Sequence, residues 1–300
     1  MTFKFYKETI IHNVVFEVEG EKNHANEEGS KDPSSEKTKK SLFNMMMGER
    51  PHSSDDTIGE KIVDSETLVS QTQGRLWKAL KRHFQYDTSL HLGQEYLLNH
   101  VSSKIPLVIL YADLVGSTNM SMTLPVDKLV TIIRAFTYEM SSVIYNHEGY
   151  VLKFVGDAVI AFFPASYNAL LACDKAVQCG RSMLTVVKNG INPILNQYDY
   201  PELNVKIGMD EGENVIVQYG HDKSSQIDIL GYCMSIASKI TSLSRPNKIS
   251  IGEDVYKMLH PSIRSKFDEV KFSLDEWKYT DRHTGQLYKV YTMRESKIGQ

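Results

Sequence analysis

Two short stretches of this sequence place carboxylates at the ends of apolar segments. Residues 107–114 form an apolar run that carries Asp113 near its end, and the small-residue turn Gly116-Ser117-Thr118 follows. Such a run is typical of a strand buried on both faces. Residues 149–163 read as two strands that meet at Gly156-Asp157, and a Gly-Asp pair between apolar runs predicts a hairpin. If these strands pair beside the first, both carboxylates reach one edge of one sheet.

Two carboxylates in this position favour metal-assisted transfer of a phosphoryl or nucleotidyl group. They repel each other, and burial favours their protonated forms. A divalent cation such as Mg²⁺ removes that penalty and completes its coordination with water and substrate phosphates. The N–H groups of residues 115–118 are expected to wrap a phosphate, as backbone nests and helix N-termini do. On spacing alone, an equally good interpretation is that Asp113 caps the next helix and Asp157 simply occupies a turn.

Composition and charge exclude several classes of protein. The 300 residues, 41% of them hydrophobic, suit one large core with appendages or two domains. The net charge of −3 gives no indication of a nucleic-acid or membrane-surface partner. The three cysteines have no metal-ligand spacing, no run approaches the about twenty apolar residues that span a bilayer, and the N-terminus lacks a signal pattern. We therefore expect a soluble, cytoplasmic protein.

The chain divides into five predicted segments. Residues 1–20 alternate between apolar and polar side chains, which predicts a short β-hairpin. The polar composition of residues 21–61 predicts a disordered linker. Helical spacing over residues 62–104 predicts a helical lead-in that packs on the main domain or on a partner chain. The main domain is expected over residues 105–260, and a β-hairpin extension over residues 261–300.

The element order of the main domain predicts its fold class. After the first strand, apolar residues at helical period predict a helix that ends at Gly149. The hairpin follows, and then a helix from about residue 167 to residue 188 that Asn189-Gly190 ends. Two further strands are expected at residues 205–209 and 214–219. The order β-α-β-β-α-β predicts an α+β, ferredoxin-like palm domain with extra C-terminal strands and helices.

Several motifs together resemble those of a known family. They are Tyr-Ala-Asp-Leu-Val-Gly-Ser-Thr (111–118), Lys-Phe-Val-Gly-Asp (153–157), Ile-Gly-Met-Asp-Glu-Gly (207–212), Asp-Ile-Leu-Gly (228–231) and Asn-Lys-Ile-Ser-Ile (247–251). In this order they resemble the catalytic domain of the class III nucleotidyl cyclases, the adenylyl and guanylyl cyclase family. The resemblance implies attack of a ribose 3′-hydroxyl on the α-phosphorus of a nucleoside triphosphate, with pyrophosphate as the leaving group.

The resemblance also implies a role for each matching residue. Asp113 and Asp157, with Leu114 beside them, would hold two Mg²⁺ or Mn²⁺ ions, which fits two-metal catalysis. The implied substrate-binding residues are Lys153 and Asp228 for the base, Lys248 for the triphosphate, and Val115, Gly116, Ser117 and Thr118 for phosphates. In this family a lysine and an aspartate at the base positions mark adenylyl cyclases, so ATP is the implied substrate.

Two implied catalytic positions depart from the family pattern. Ser235 stands where an asparagine usually orients the ribose, and Lys239 where an arginine usually stabilises the transition state. Lysine keeps the charge of arginine but lacks its planar fork, so we expect a slow but active enzyme. Two alternatives stay open: a nucleotide-binding pseudo-cyclase without turnover, and a cyclase that acts on a pyrimidine triphosphate. Because sites of this family form between two domains, the resemblance implies a homodimer with shared sites.

Overall fold

The structure, a computed structural model, describes residues 64–82, 89–220, 222, 225–273, 275–282 and 284–294. The hairpin predicted for residues 1–20 and the linker predicted for residues 21–61 lie outside the described residues. The helices are α1 (Ser65–Arg82), α2 (Leu90–Leu98), α3 (Ser117–Thr123), α4 (Val126–Asn146), α5 (Ala169–Thr185), a π-helical turn (Val186–Ile191), α6 (Asn192–Asn196), α7 (Tyr232–Leu243), α8 (Glu253–Met258) and α9 (Pro261–Arg264). The strands are β1 (Lys104–Leu114), β2 (Tyr150–Val155), β3 (Ala158–Pro164), β4 (Val205–Gln218), β5 (Ile227–Gly231), β6 (Lys248–Gly252), β7 (Phe267–Val270) and β8 (Val290–Met293).

One mixed sheet organises the described part of the chain. Seven of its eight strands follow the order β2-β3-β1-β4-β6-β8-β7, and the eighth, β5, pairs with the C-terminal end of β4. Neighbouring strands run antiparallel except β4 and β6, which are parallel. The first four strands and the helices between them give the β-α-β-β-α-β order. The predicted α+β, ferredoxin-like class is therefore confirmed.

The two faces of the sheet bury different elements. On one face Val108 and Leu110 of β1 belong to a large core that includes α4 and α5. On the other face Leu107 and Ile109 belong to a second core that includes β5 and α7. Both faces of β1 are buried, as its continuous apolar run predicts. Within the described ranges, no helix combines the length and the apolar character needed to cross a bilayer.

The two lead-in helices pack on the main domain. Glu139 of α4 is 1% exposed, and its carboxylate accepts hydrogen bonds from Thr72 Oγ1 at 2.7 Å and from Arg75 Nη2 at 2.6 Å on α1. A carboxylate this deeply buried requires such partners. Helix α2 lies so close to β2 that a Cβ at Gly93 would come within 2.3 Å of the Val151 carbonyl oxygen.

Two predicted helix ends differ from the structure. Helix α4 ends at Asn146, and Glu148, not Gly149, takes the positive φ, 63°, that follows it. Position 149 requires a glycine for a different reason, because a Cβ there would lie 2.7 Å from the Phe163 ring. Helix α5 does not end at Asn189-Gly190. The chain continues through the π-helical turn into α6, and a Cβ at Gly190 would lie 3.0 Å from Thr72 of α1. Tertiary packing, rather than a turn, requires both glycines.

The two strands predicted at residues 205–209 and 214–219 are one strand. Strand β4 runs without a break for 14 residues and includes Gly208 and Gly212. A Cβ at Gly208 would come within 2.1 Å of Thr241 Oγ1, so this glycine allows α7 to lie directly on the strand. The extension after residue 260 joins the same sheet, because β8 pairs with β6.

Candidate active site

Asp113 and Asp157 lie at the same end of the sheet. Asp113 is the last residue but one of β1, and Asp157 follows Gly156, whose φ is 65°, in the turn between β2 and β3. Strands β1 and β3 pair as far as Ala112 and Val159, which brings this turn next to Asp113. The tight hairpin turn and the strand register together position the two carboxylates.

The two carboxylates interact electrostatically. Burial raises the pKa of Asp113 above its ordinary value, and the negative charge of Asp157 raises it further. Oδ2 of Asp157 is buried and accepts no hydrogen bond from the described residues. Among the residues that the structure describes, no group of three or more histidine, cysteine, aspartate or glutamate side chains is placed to hold a metal ion. The pair fits a cation such as Mg²⁺, which binds through one or two carboxylates and completes its shell with water and phosphates.

The turn after β1 offers fewer donors to a phosphate than expected. The N–H of Val115 donates to the Asn204 carbonyl at 2.9 Å and is therefore engaged inside the protein. Gly116 has a φ of 76°, and α3 begins at the next residue, so the N–H groups of residues 116–118 remain the candidates. The side chain of Leu114 is in the core, 3% exposed, which leaves only its main chain to face a cation.

Lys153 and Asp228 form an ion pair even though their strands, β2 and β5, are not neighbours in the sheet. Ile227 and Ile229 of β5 pack in the same core as Leu152 of β2, so β5 lies across this face of the sheet. That packing brings the carboxylate of Asp228 to the ammonium of Lys153. The Asp228 side chain is 12% exposed and the Lys153 side chain 31%, so the ion pair is partly buried.

Tyr111 lies beside this ion pair and was not identified from the sequence. It stands opposite Ile160, the residue that also pairs with Lys153. Burial raises the pKa of Tyr111 to about 12, with a contribution from the negative charge of Asp228, and its hydroxyl is hydrogen-bonded to Ser238 of α7. Tyr111 therefore connects the ion pair to α7. A tyrosine inside the apolar run of β1 was the available signal.

Helix α7 carries Ser235 and Lys239, four residues apart and both exposed. In the residues that the structure describes, neither side chain forms a hydrogen bond or ion pair with Asp113 or Asp157. The predicted site residues thus form two groups within one chain. We call them the metal group (Asp113, Asp157 and residues 116–118) and the base group (Lys153, Asp228, Ser235, Lys239 and Lys248).

Lys206 is a second candidate that was not identified from the sequence. The strand register places it opposite Asp113 of β1 and beside Lys248 of β6. Its positive charge lowers the pKa of Asp113 and so opposes the effect of burial. A carboxylate and two lysines therefore share one row across three strands. The signal in the sequence is a lysine between the apolar residues Val205 and Ile207, which face the opposite core.

Comparison with known proteins identifies the family. The profile of the adenylate and guanylate cyclase catalytic domain matches residues 101–283, more than half of the chain. The chain belongs to this family. It contains a class III nucleotidyl cyclase catalytic domain, and the family generally uses divalent metal ions.

Curated relatives differ in the substrate that their names state. A cytidylate cyclase of Escherichia coli is 22% identical over 207 residues, which cover 64% of this chain and 44% of that protein. A cytidylate cyclase of Staphylococcus aureus is 26% identical over 198 residues, with the same two coverages. Photoactivated adenylate cyclase subunit alpha of Euglena gracilis is 26% identical over 164 residues, covering 53% of this chain and 16% of that protein. The chain thus spans less than half the length of these relatives.

Solved structures share the fold. The adenylyl cyclase CyaB of P. aeruginosa has a TM-score of 0.55 and 22% identity, and the match covers 65% of this chain and 97% of that one. The guanylyl cyclase Cya2 has a TM-score of 0.55 and 20% identity, and the match covers 66% of this chain and 98% of that one. At these identities the likeness concerns the fold and does not select a substrate.

Proposed function

We propose that this chain is a nucleotidyl cyclase that converts ATP to cyclic AMP and pyrophosphate with two Mg²⁺ or Mn²⁺ ions. The observation that carries the proposal is the pair Asp113 and Asp157, with a buried carboxylate oxygen that has no hydrogen-bond partner in the described residues. Cations at this pair would stabilise the attacking 3′-oxygen and the charge on the phosphates. Lys206, which stands opposite Asp113 in the sheet, would contribute positive charge toward the triphosphate, and Lys248 would do so from the second copy in the shared site proposed below.

The Lys153–Asp228 pair supports a base that carries an amino group. Adenine presents a ring-nitrogen acceptor beside an amino donor, which suits the ammonium of Lys153 and the carboxylate of Asp228. Guanine and uracil present a ring N–H donor beside a carbonyl acceptor, so both contacts would be mismatched. A base that leaves either charge without a matching group binds more weakly, so the pair discriminates adenine from guanine and uracil.

CTP is the second candidate substrate. Cytosine offers the same acceptor and amino donor as adenine on its pairing edge, so Lys153 and Asp228 do not separate the two bases. Curated relatives from Escherichia coli and Staphylococcus aureus carry the name cytidylate cyclase, which favours this candidate specifically.

We further propose that two copies of the chain share each site. The metal group of one copy would face the base group of the other, because within one chain Ser235 and Lys239 make no described contact with Asp113 or Asp157. A twofold axis then generates two equivalent sites.

Product analysis tests the proposed reaction. Purified protein is incubated separately with ATP, GTP, CTP and UTP, with Mg²⁺ or Mn²⁺, and products are identified by mass spectrometry beside Asp157→Ala. Cyclic AMP that disappears in the variant is the expected result. Detection of cyclic CMP would support the same mechanism with CTP as the substrate. Nucleotide binding without any cyclic product would contradict the proposal and favour a pseudo-cyclase, in line with the departures at Ser235 and Lys239.

Mixing two impaired variants tests the shared site. Asp113→Ala lacks one group and Lys153→Ala lacks the other, so a heterodimer retains one complete site. We expect activity to return on mixing to about one working site per heterodimer. Two variants of the same group, Asp113→Ala and Asp157→Ala, form the control and should not restore each other. No recovery in the first mixture would contradict the shared site.

A further inference from the structure

Helix α7, which presents Ser235 and Lys239, is held on two sides. Cys233 and Ala237 on one side belong to the second core and face the sheet. Because each residue of an α-helix advances by about 100° around the axis, Ser235 and Lys239 point away from that side. The direction of these two side chains therefore depends on how the helix is rotated about its axis.

An adjoining side of α7 packs on the C-terminal extension. Ile236 and Ile240 share a third core with Trp277, Tyr288 and Val290, in which all five residues are at most 2% exposed. Within this core Trp277 Nε1 donates a hydrogen bond to the Tyr288 carbonyl at 2.7 Å. The extension thus forms a rigid second support for the helix.

The extension also fixes the first residue of α7. The hydroxyl of Tyr232 donates to the Thr280 carbonyl at 2.6 Å, and the guanidinium of Arg282 lies 4.2 Å from the ring centroid. Tyr288 contacts the same ring edge-on, with 6.2 Å between centroids. Tyr232 precedes Ser235 by three residues, so these contacts hold the turn from which Ser235 projects.

Tyr288 joins the extension to the sheet through a buried carboxyl group. Its hydroxyl donates to Asp210 Oδ1 at 2.7 Å and accepts from the Asp254 N–H at 3.0 Å. Asp210 on β4 is 0% exposed, and its Oδ2 has no hydrogen-bond partner in the described residues. Burial raises the pKa of Asp210 well above its ordinary value, and Asp254 and Glu211 add to the effect. Burial therefore favours the neutral form of the carboxyl that meets Tyr288.

We infer that Tyr288 is a positioning residue for the proposed reaction: its hydrogen bond to Asp210 and its packing against α7 set the rotation of that helix and hence the direction of Ser235 and Lys239. The inference rests on the proposed function. The link joins Tyr288, which lies outside the sequence motifs, to a carboxyl within one of them. Misplacing a catalytic group by about 1 Å can cost a hundredfold in rate.

The test uses the full chain and the variant Tyr288→Phe, which removes only the hydroxyl. Tyr291→Phe is the matched control, because Tyr291 lies only three residues further along the chain, in β8, but stacks on Tyr256, 3.7 Å away, in the first core. We expect Tyr288→Phe to lower kcat by about ten- to a hundredfold with KM for the nucleotide nearly unchanged. Tyr291→Phe should keep kcat within about twofold of the unsubstituted chain. Asp210→Asn keeps the acceptor oxygen and should retain activity.

A double variant distinguishes positioning from general destabilisation. In a Lys239→Ala background, Tyr288→Phe should cause little further loss, because it acts through the group already removed. Hydrogen exchange at the α7 amides should be faster in Tyr288→Phe than in Tyr291→Phe. The inference would be overturned if the fold loss of kcat in the double variant equalled the product of the two single losses. It would also be overturned if hydrogen exchange in α7 were unchanged in Tyr288→Phe. Absence of any cyclic product from the unsubstituted chain would instead contradict the proposed function, while the exchange experiment would still test the link between Tyr288 and α7.

Discussion

The metal group and the base group satisfy their charges in opposite ways. Lys153 and Asp228 are opposite charges that neutralise each other within the chain. Asp113 and Asp157 are like charges, and one of their oxygens is buried without a hydrogen bond in the described structure. The Lys153–Asp228 pair is therefore neutralised as the chain folds, whereas the repulsion between Asp113 and Asp157 remains. Folding alone thus prepares one half of the site, and the binding of cations must complete the other.

This difference has consequences for affinity. A base that enters between Lys153 and Asp228 must replace the contact they already make with each other. It gains only if it offers both an acceptor and a donor, and this requirement makes the pair selective rather than strongly attractive. Cations at Asp113 and Asp157 instead remove a repulsion that exists before binding, so their binding is favoured by the fold itself.

Removal of a metal-group carboxylate should have the largest effect. Asp157→Asn is expected to lower kcat/KM about a thousandfold or more, because the cation supplies several kcal/mol of transition-state stabilisation. The same change should leave the metal-free chain at least as stable, because the repulsion with Asp113 disappears. Steady-state kinetics and thermal melting with and without Mn²⁺ measure both effects.

Asp127→Asn, at an exposed position in α4, is the matched control for Asp157→Asn. It should retain full activity and the same increase of the melting temperature on addition of Mn²⁺. If Asp157→Asn kept that increase, the assignment of the cation to this pair would be wrong.

The sequence predicted the metal group better than it predicted the neighbours of that group. Asp113 and Asp157 follow from local signals, an apolar run and a Gly-Asp turn. The position of Lys206 depends on the register between β1 and β4, which no local pattern specifies. Likewise, β4 continues through Gly208 because α7 packs closely on the strand there. A local sequence pattern cannot distinguish a glycine required by such packing from one that ends a strand.

The base group needed the family resemblance as well as the sequence pattern. Lys153 and Asp228 are 75 residues apart, and their contact arises because β5 lies across the second core. The extension shows the same limit: Tyr288 meets Asp210, 78 residues earlier, inside the fold. Contacts of this range depend on the packing of whole elements, so composition and periodicity do not predict them.

Loss of the positive charge of Lys153 should have an intermediate effect. Lys153→Met is expected to lower kcat/KM for ATP and for CTP about ten- to a hundredfold, because it removes a charged hydrogen bond and leaves Asp228 unpaired. Activity with GTP should change much less, so the ratio between ATP and GTP is the quantity to measure. Lys175→Met removes a lysine from the exposed pair with Glu148 and should change neither activity. An unchanged ratio in Lys153→Met would contradict base recognition by this pair.

Loss of Lys206 should have a smaller effect that depends on pH. The charge of Lys206 lowers the pKa of Asp113, so Lys206→Met should raise that pKa further. Protons then compete with the cation at higher pH, and the acid limb of kcat/KM at limiting Mn²⁺ should move to higher pH. Saturating Mn²⁺ should reverse part of the shift. An acid limb in the same place as in the unsubstituted chain would show that Lys206 does not influence the metal group.

The smallest effect is expected on stability, at the buried carboxyl of Asp210. Its pKa in the folded chain lies well above the ordinary value of 3.8, so above that value the folded state holds a proton that the unfolded state has lost. The free energy of unfolding should therefore fall as pH rises, by up to about 1.4 kcal/mol per pH unit, until the folded carboxyl ionises. Asp210→Asn has no proton to lose and should lack this slope. Urea unfolding of both proteins over a pH series measures the difference, and His147, whose pKa burial lowers to about 4, cancels because both proteins contain it. Equal slopes would mean that Asp210 is ionised in the folded chain, and a charged acceptor would then hold Tyr288 in place of a neutral one.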